Sequence, residues 1–337
     1  MPSNMLNNNT HTVSVIVPVY NEETNVLPLI ERIQTALADF SAPWELVIVD
    51  DGSRDQTVVR LREAAQHYGS HIHIVELQRN FGQTAAMQAG IDAARGEFLV
   101  TLDGDLQNDP MDIPAMVQGL QERNLDLLVG WRQNRQDTLV LRKIPSKIAN
   151  KLIAKVTGIY LHDYGCSLKV YRASVVKKIR LYGEMHRFIP AWIATVTPIS
   201  RIGEQVVTHH KRLSGESKYG ISRTFRVIID LLFIWFFMRY RARPGHFFGG
   251  IGLILGFLGL LVLGWLGIDK LAFGAQIGGR PLFMTGIMLT LASLQFLTTG
   301  VLAELLTRIY FESSDKCAYI VRQVLDASNT RTWFNKS

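Results

Sequence analysis

Disulfide chemistry is the first thing this chain lacks. Among 337 residues there are two cysteines, Cys166 and Cys317, which form no paired framework and show no metal-ligand spacing. A secretory leader is not expected either. Met1 to Thr12 is polar with no apolar core segment, so the chain is expected to begin in the cytoplasm. No G-x-G-x-x-G follows the first strand-like run, and there is no Walker A lysine loop. These absences exclude the dinucleotide fingerprint and the P-loop. A nucleotide bound here would have to be held by acids, a metal ion and basic residues. Repeats and low-complexity tracts are absent too.

Long apolar runs are present. Mean hydropathy is +0.11, and the excess lies in the last third. Residues Phe247 to Gly267 and Leu282 to Ala303 carry no charge; each is about long enough to cross a bilayer as a helix. Buried core helices are the alternative, but they rarely stay uncharged for so long. Net charge is +7. Arg239, Arg241 and Arg243 precede the first run, and Arg308, Lys316 and Arg322 follow the second. The loop between carries Lys270 and Arg280 against Asp269. The positive-inside rule places both termini in the cytoplasm and Ile268 to Pro281 outside, which makes an inner-membrane, multi-pass protein. The basic excess could serve nucleic acid, but the adjacent spans point to anionic lipid headgroups, and no nucleic-acid partner is expected. Ile221 to Met238 reads as an amphipathic helix lying on the membrane. Gly249, Gly252, Gly256 and Gly259 allow close helix packing, within one chain or between copies; a homo-oligomer is expected.

Before these runs the pattern alternates strand and helix. Strands are expected at Val13–Val17, Leu46–Val49, Ile72–Leu77 and Glu97–Leu102. Helices are expected at Asn21–Leu37, Thr57–Tyr68 and Thr84–Ala94. Continuous apolar strands separated by helices predict an α/β fold with a mostly parallel sheet covered on both faces. The expected organisation is a polar tail over 1–12, a catalytic domain over 13–220, a membrane-surface segment over 221–246, a two-helix hairpin over 247–310 and a cytoplasmic tail over 311–337.

Several strands end in polar turns: Tyr20-Asn21-Glu22, Asp50-Asp51-Gly52-Ser53 and Asp103-Gly104-Asp105. Strand ends of one parallel sheet share an edge, and ligands bind in the crevice outside that edge. Two carboxylates one residue apart, with Gln107 following, suit a hard divalent cation that takes its remaining ligands from substrate phosphates. An ordinary acidic turn is the competing reading of D-x-D. Likewise, Glu22 also suits a helix N-terminus, and Asp50-Asp51-Gly52-Ser53 is compatible with a plain turn.

Taken in order, Val17-Pro18-Val19-Tyr20-Asn21-Glu22, Val49-Asp50-Asp51-Gly52-Ser53, Arg79-Asn80-Phe81-Gly82 and Asp103-Gly104-Asp105-Leu106-Gln107 resemble the family 2 glycosyltransferases of GT-A (Rossmann-like) fold. More closely, the chain resembles the polyprenyl-phosphate glycosyltransferases over nearly its whole length. Arg132 to Asp137 and Asp163-Tyr164-Gly165-Cys166 are most similar to the branch that transfers an aminoarabinose to undecaprenyl phosphate. There are two departures. Gly104 stands where the family usually has alanine, and Ser313 to Cys317 replaces a basic segment.

The resemblance implies a nucleotide-sugar donor, a polyprenyl phosphate acceptor and Mg²⁺ or Mn²⁺. It places Pro18, Tyr20, Glu22, Asp50, Asp51 and Arg79 at the donor nucleotide. Asp105 and Gln107 would ligate the metal, with Asp103 on ribose or metal, and Asp163 would lie near the transferred sugar. Arg132, Arg135 and Arg142 would clamp the acceptor phosphate, although each also suits a solvated loop. Arg187 and Lys218 match segments near the donor diphosphate and acceptor. The expected reaction is inverting transfer of a sugar, from a UDP-linked donor, to undecaprenyl phosphate at the cytoplasmic face. Rival readings are a processive polysaccharide synthase, which would carry Q-x-x-R-W and more spans, and a non-catalytic membrane scaffold.

Overall fold

The computed structural model describes residues 12–133, 153–154, 158–181, 183, 185–210, 236, 240, 244–274, 276–312 and 321–326. The chain divides into two compact units. One comprises residues 1–227 with 317–337, the other residues 228–316.

The first unit is built on an eight-stranded sheet. Its first half alternates strand and helix: β1 (Val13–Val19), α1 (Val26–Ala36), β2 (Trp44–Asp50), α2 (Thr57–Tyr68), β3 (Ile72–Leu77), α3 (Gln83–Ala93) and β4 (Phe98–Thr101). Then come α4 (Ile113–Glu122), β5 (Leu127–Trp131), β6 (Lys169–Arg172), the short helices α5 (Ala173–Val176) and α6 (Ile189–Ile193), and β7 (Ile202–Val206). The strand order is β7-β5-β6-β4-β1-β2-β3-β8, where β8 is Val321–Asp326 near the C-terminus. β1 pairs in parallel with β2 and β4, β2 with β3, and β5 with β7. The expected mostly parallel α/β sheet is therefore present, with β6 and β8 antiparallel to their neighbours. Val15, Val17, Leu46, Ile48, Val100 and Leu128 are fully or almost fully buried, as continuous apolar runs in a sheet covered on both faces require.

α1 begins later than the sequence suggests. Glu22 and Glu23 sit in a loop ahead of it, so they do not form its acidic first turn. The Glu22 N–H donates to Thr57 Oγ1 at 2.9 Å and the Glu23 N–H to Asp55 Oδ2 at 3.3 Å. Asn21 takes φ 53°, a left-handed conformation that asparagine tolerates, and its Oδ1 accepts from the Arg54 N–H at 2.9 Å. Residues 21–25 thus serve to join the first two strand-end loops.

The second unit holds α7 (Pro244–Phe273) and α8 (Pro281–Glu312). Both are long and apolar enough to cross a membrane, and only 17% of each one's most apolar window is buried. A Cβ on Gly252, Gly256 or Gly259 would fall within 3 Å of Leu297, Ser293 or Thr290 on α8. These glycines therefore pack the two helices of one chain together. At the turn Arg280 pairs with Asp269 at 2.6 Å. The expected amphipathic segment over 221–238 lies outside the described residues apart from Phe236.

A strand that no local pattern announces follows the second apolar helix. β8 (Val321–Asp326) returns to the first unit and pairs antiparallel with β3.

A buried polar network lies at the N-terminal ends of β1, β2 and β3. Ser14 Oγ donates to Glu45 Oε1 at 2.5 Å, the Arg95 N–H donates to the same oxygen at 2.6 Å, and His73 lies 3.3 Å from Glu45 Oε2. Burial alone would raise the Glu45 carboxyl; the bonds from His73, Ser14 and Arg95 outweigh it and bring the pKa down to about 2. A depressed carboxylate stabilises the fold above its unfolded pKa, and that stability fades as pH falls toward the folded value. Between pH 5 and 3 this group should cost the protein about 2 kcal/mol. Denaturant unfolding at the two pH values should show that loss in the parent chain and not in Glu45→Gln; equal losses in both would remove Glu45 from the acid response.

Candidate active site

Because β5 and β1–β4 run the same way and β6 runs against them, the C-terminal ends of the former meet the N-terminal end of β6 at one sheet edge. Pro18, Asp50, Asp103, Trp131 and the residues entering Lys169 converge there.

Asp50 is fully buried. Its Oδ2 accepts from the N–H groups of Gly52 and Ser53 at 3.1 and 3.0 Å, while its Oδ1 is buried without a hydrogen-bond partner. Burial raises this carboxyl, the Ser53 side chain and N–H pull it back, and the Glu76 charge adds a smaller rise. Gly52 has φ 71°, and a Cβ there would sit 2.5 Å from the Arg79 carbonyl carbon, so glycine alone lets the two loops approach. Asp51 is committed differently. Its two oxygens accept from the Phe81 and Gly82 N–H groups at 2.7 and 2.9 Å, which ties the turn after β2 to the entrance of α3. Tyr20 is 38% exposed. The Glu22 carboxylate accepts from Asn25 Nδ2 at 2.6 Å. Arg79 lies over the Phe81 ring at 4.9 Å.

Asp103 is part-buried and takes a hydrogen bond from Gln83 Nε2 at 2.8 Å. Burial first, then repulsion by Asp105, push its pKa up to about 6, against the pull of Ser167, Lys169 and Arg132. The Gln107 N–H donates to Asp105 Oδ1 at 3.2 Å. Between these two, Leu106 holds φ 59° although it is buried and apolar; packing sustains a left-handed residue where the acid loop turns. A Cβ on Gly104 would meet a Val19 methyl at 2.9 Å, so alanine would fit once that side chain moved. The segment after β7 backs the loop. The His210 N–H donates to the Gln107 carbonyl at 2.8 Å, and the His210 ring bonds Asp109 at 2.7 Å.

Arg132 and Asp163 form a fork. Arg132 Nε and Nη2 donate to the two Asp163 oxygens at 2.6 and 3.0 Å, and both side chains are buried, at 9% and 7% exposure. Burial works against the guanidinium, but the Asp163 pair more than compensates and its pKa is raised. Next to the fork, Trp131 stacks on His162 with centroids 4.1 Å apart, and His162 pairs with Glu204 of β7.

Sequence reasoning missed the buried group beneath the acids. Lys169 is 3% exposed; its ammonium donates to the Cys166 carbonyl, and burial lowers its pKa against the pull of Cys166, Asp163 and Asp103. Ser167 Oγ receives the Asp103 N–H at 3.3 Å and Asn108 Nδ2 at 2.7 Å. Burial pushes the Cys166 thiol up to about 11, which removes it as a nucleophile. A lysine opening the short strand Lys169-Val170-Tyr171-Arg172, separated by two residues from the Asp163-Tyr164-Gly165-Cys166 segment, was the available signal. His186 bonds Thr84 Oγ1 at 2.6 Å, which ties the backbone beside Arg187 to α3; the Arg187 side chain, Arg135, Arg142 and Lys218 lie outside the described residues.

The donor set at Asp103, Asp105 and Gln107 is all oxygen, as Mg²⁺ and Mn²⁺ prefer, and the mutual repulsion of the two carboxylates is what a divalent ion would relieve. Among the described residues no three His, Cys, Asp or Glu side chains form a metal cage. An ion here would complete its shell with donor phosphates.

The sequence matches the family model for glycosyl transferase family 2 over residues 14–180. It is 60% identical to dodecaprenyl-phosphate galacturonate synthase of Rhizobium johnstonii over 314 residues, 93% of either chain. It is 36% identical to the undecaprenyl-phosphate 4-deoxy-4-formamido-L-arabinose transferase of Klebsiella pneumoniae over 94% of this chain and 95% of that one. The fold is similar to glucosyl-3-phosphoglycerate synthase from Mycobacterium tuberculosis, solved with Mn²⁺, UDP-glucose and phosphoglyceric acid. In that comparison the TM-score is 0.52 at 16% identity, covering 68% of this chain and 81% of that one. With a strand-end acid loop in a GT-A sheet, two apolar helices after it and full-length relatives that act on polyprenyl phosphates, the chain belongs to the polyprenyl-phosphate glycosyltransferases of glycosyltransferase family 2.

Proposed function

We propose that this enzyme transfers a hexuronate, galacturonate in the first instance, from a UDP-linked donor to undecaprenyl or a similar polyprenyl phosphate at the cytoplasmic face of the inner membrane. The 60% identity to a galacturonate synthase over almost the whole of both chains carries the choice of sugar. The alternative sugar, 4-deoxy-4-formamido-L-arabinose, is favoured by relatives of lower identity. UDP-galacturonate, UDP-glucuronate and the formamido-arabinose donor, each offered with undecaprenyl phosphate, decide between them by mass of the lipid product. Product from the arabinose donor alone would overturn the uronate.

In the proposed reaction the acceptor phosphate oxygen attacks the anomeric carbon as the bond to the UDP leaving group breaks, which inverts that centre. The nucleophile is already anionic, so no side chain need remove a proton. Asp50 offers its unpartnered oxygen to a nucleobase N–H. Asp103, Asp105 and Gln107 would hold the metal, which when bound would neutralise charge on the leaving diphosphate. Arg132 is oriented by Asp163, and its Nη1, which makes no hydrogen bond among the described residues, is presented to the acceptor phosphate. Arg135, Arg142, Arg187 and Lys218 would supply the remaining cations, and Pro18, Tyr20, Glu22 and Arg79 would frame the nucleotide. Asp51 supports that frame through its backbone contacts.

Connectivity favours the proposed topology. The chain leaves the first unit, runs through α7 and α8, and returns to the first unit's sheet as β8, so both ends of the hairpin belong on the catalytic side. The organisation read from the sequence changes at its end, since the proposed cytoplasmic tail contributes a strand.

Asp105→Asn should lower transfer by at least the roughly 10–100-fold that even an outer-shell change costs a metal site, with folding intact by circular dichroism. Full activity of this variant, or of the parent enzyme in EDTA, would remove the metal. Arg132→Lys breaks the fork, because an ammonium cannot reproduce its planar geometry. The KM for undecaprenyl phosphate should rise about tenfold or more, with UDP affinity within about twofold; an unchanged acceptor KM would return Arg132 to a structural role.

A further inference from the structure

Glu76 stands on β3 opposite Asp50 of β2 in the sheet register, and its side chain is only 8% exposed. Three groups hold its carboxylate. Arg62 reaches Oε2 at 3.2 Å, Arg322 reaches Oε1 at 3.0 Å, and Gln323 Nε2 donates to Oε2 at 2.6 Å. Arg322 and Gln323 both come from β8, the strand that follows the second apolar helix. Adjacent residues of a regular strand face opposite ways. Here the register shifts between Glu76 and Leu77, whose partners are Gln323 and Val321. Arg322 is thus the extra residue of a bulge, and a bulge re-aims side chains. Both neighbours can then reach one carboxylate. Asp50 is the nearest acid on the adjacent strand, fully buried and with one oxygen lacking a partner.

We propose that β8 is a working part of the donor site: Arg322 and Gln323 contain the charge of Glu76, and so keep Asp50 fit to accept a hydrogen bond from the nucleobase. Nucleotide recognition then depends on the segment that returns from the apolar hairpin. This rests on the reading of Asp50 as the base acceptor. Arg322 is a positioning residue, since it acts through Glu76 and touches no substrate.

The electrostatics support the direction. The Glu76 charge raises the Asp50 carboxyl, and the β8 partners, Arg322 foremost, lower that of Glu76 against its burial. Removing Arg322 frees a repulsive charge beside Asp50, and removing the charge on Glu76 as well should undo the harm.

The experiment uses the full-length enzyme in detergent, with UDP affinity measured by calorimetry and KM measured for donor and acceptor separately. Arg322→Met should weaken UDP about fivefold, the scale of one partly exposed ion pair, and leave the acceptor KM unchanged. In Arg322→Met/Glu76→Gln, UDP affinity should return to within about twofold of the parent, because the amide introduced on β3 still accepts from Gln323 while the charge is gone. If β8 merely props up the sheet, the double variant stays as weak as the single one, since neither has the ion pair, and the proposal is overturned. Equal loss for donor and acceptor overturns it as well. Asp50→Asn, measured alongside, separates the two ideas. If it binds UDP as the parent does, the base reading fails and takes this inference with it. If it binds weakly while Arg322→Met binds normally, only the role of β8 is lost.

Discussion

Repulsion among buried carboxylates governs the catalytic edge of this enzyme. Asp50, Asp51 and Asp163 are buried at one side of the sheet, Asp103 and Asp105 are part-buried there, and Glu76 lies on the strand beside Asp50. An isolated carboxylate is costly to bury, so each must be hydrogen-bonded, paired or neutralised. The enzyme uses all three solutions. Backbone N–H groups satisfy Asp51 and half of Asp50. A guanidinium fork satisfies Asp163. Glu76 is held by side chains of α2 and β8. Asp103 has an amide bond and the pull of Ser167, Lys169 and Arg132 against its burial and the repulsion of Asp105, and that repulsion is what a divalent cation at the proposed metal site would relieve.

The antiparallel β6 is the topological device behind this arrangement. A parallel strand ends at the catalytic edge, whereas an antiparallel one starts there. Inserting β6 between β4 and β5 therefore brings Cys166, Ser167 and Lys169 under the acid loop. Lys169 pairs in register with Thr101, two residues ahead of Asp103. The buried ammonium partly offsets the carboxylates without occupying the place of a ligand, because its hydrogen bond goes to the Cys166 carbonyl.

Much of this was legible in the sequence, and what was not has a common cause. The strands from Val13 to Leu77, the helix Thr57–Tyr68 and both long apolar helices follow from local periodicity. The positions of Asp50 and Asp103 follow from the rule that parallel strands present their C-terminal ends together. The fork between Arg132 and Asp163, 31 residues apart, follows from no local pattern, and neither does the pairing of β8 with β3 across the hairpin. Asp51 shows the same limit. Its motif marks it as part of the donor loop, yet whether its oxygens face a ligand or the Phe81 and Gly82 amides is decided by the loop after β3. Glu22 and Glu23 resembled a helix start because the first-turn rule describes an isolated helix, and here the second loop captures their N–H groups instead.

A count of charge at the edge shows what the catalytic step still requires. The reaction brings a diphosphate and a phosphate monoester together beside these acids, and a uronate would add a carboxylate. Among the described residues, Lys169 and Arg132 are cations whose charges act on Asp103. One bonds a carbonyl, and the other gives two of its nitrogens to Asp163. A divalent ion at the acid loop answers one part of the diphosphate. In the proposed reaction it would leave the acceptor phosphate to a single nitrogen of Arg132 and to cations expected, from the sequence, of the segments that carry Arg135, Arg142, Arg187 and Lys218. Those segments flank Asp163 in the chain on both sides. Neither substrate brings positive charge to this acidic edge, so in the proposed reaction selectivity for an anionic sugar would have to rest on the chain's own cations and on the metal.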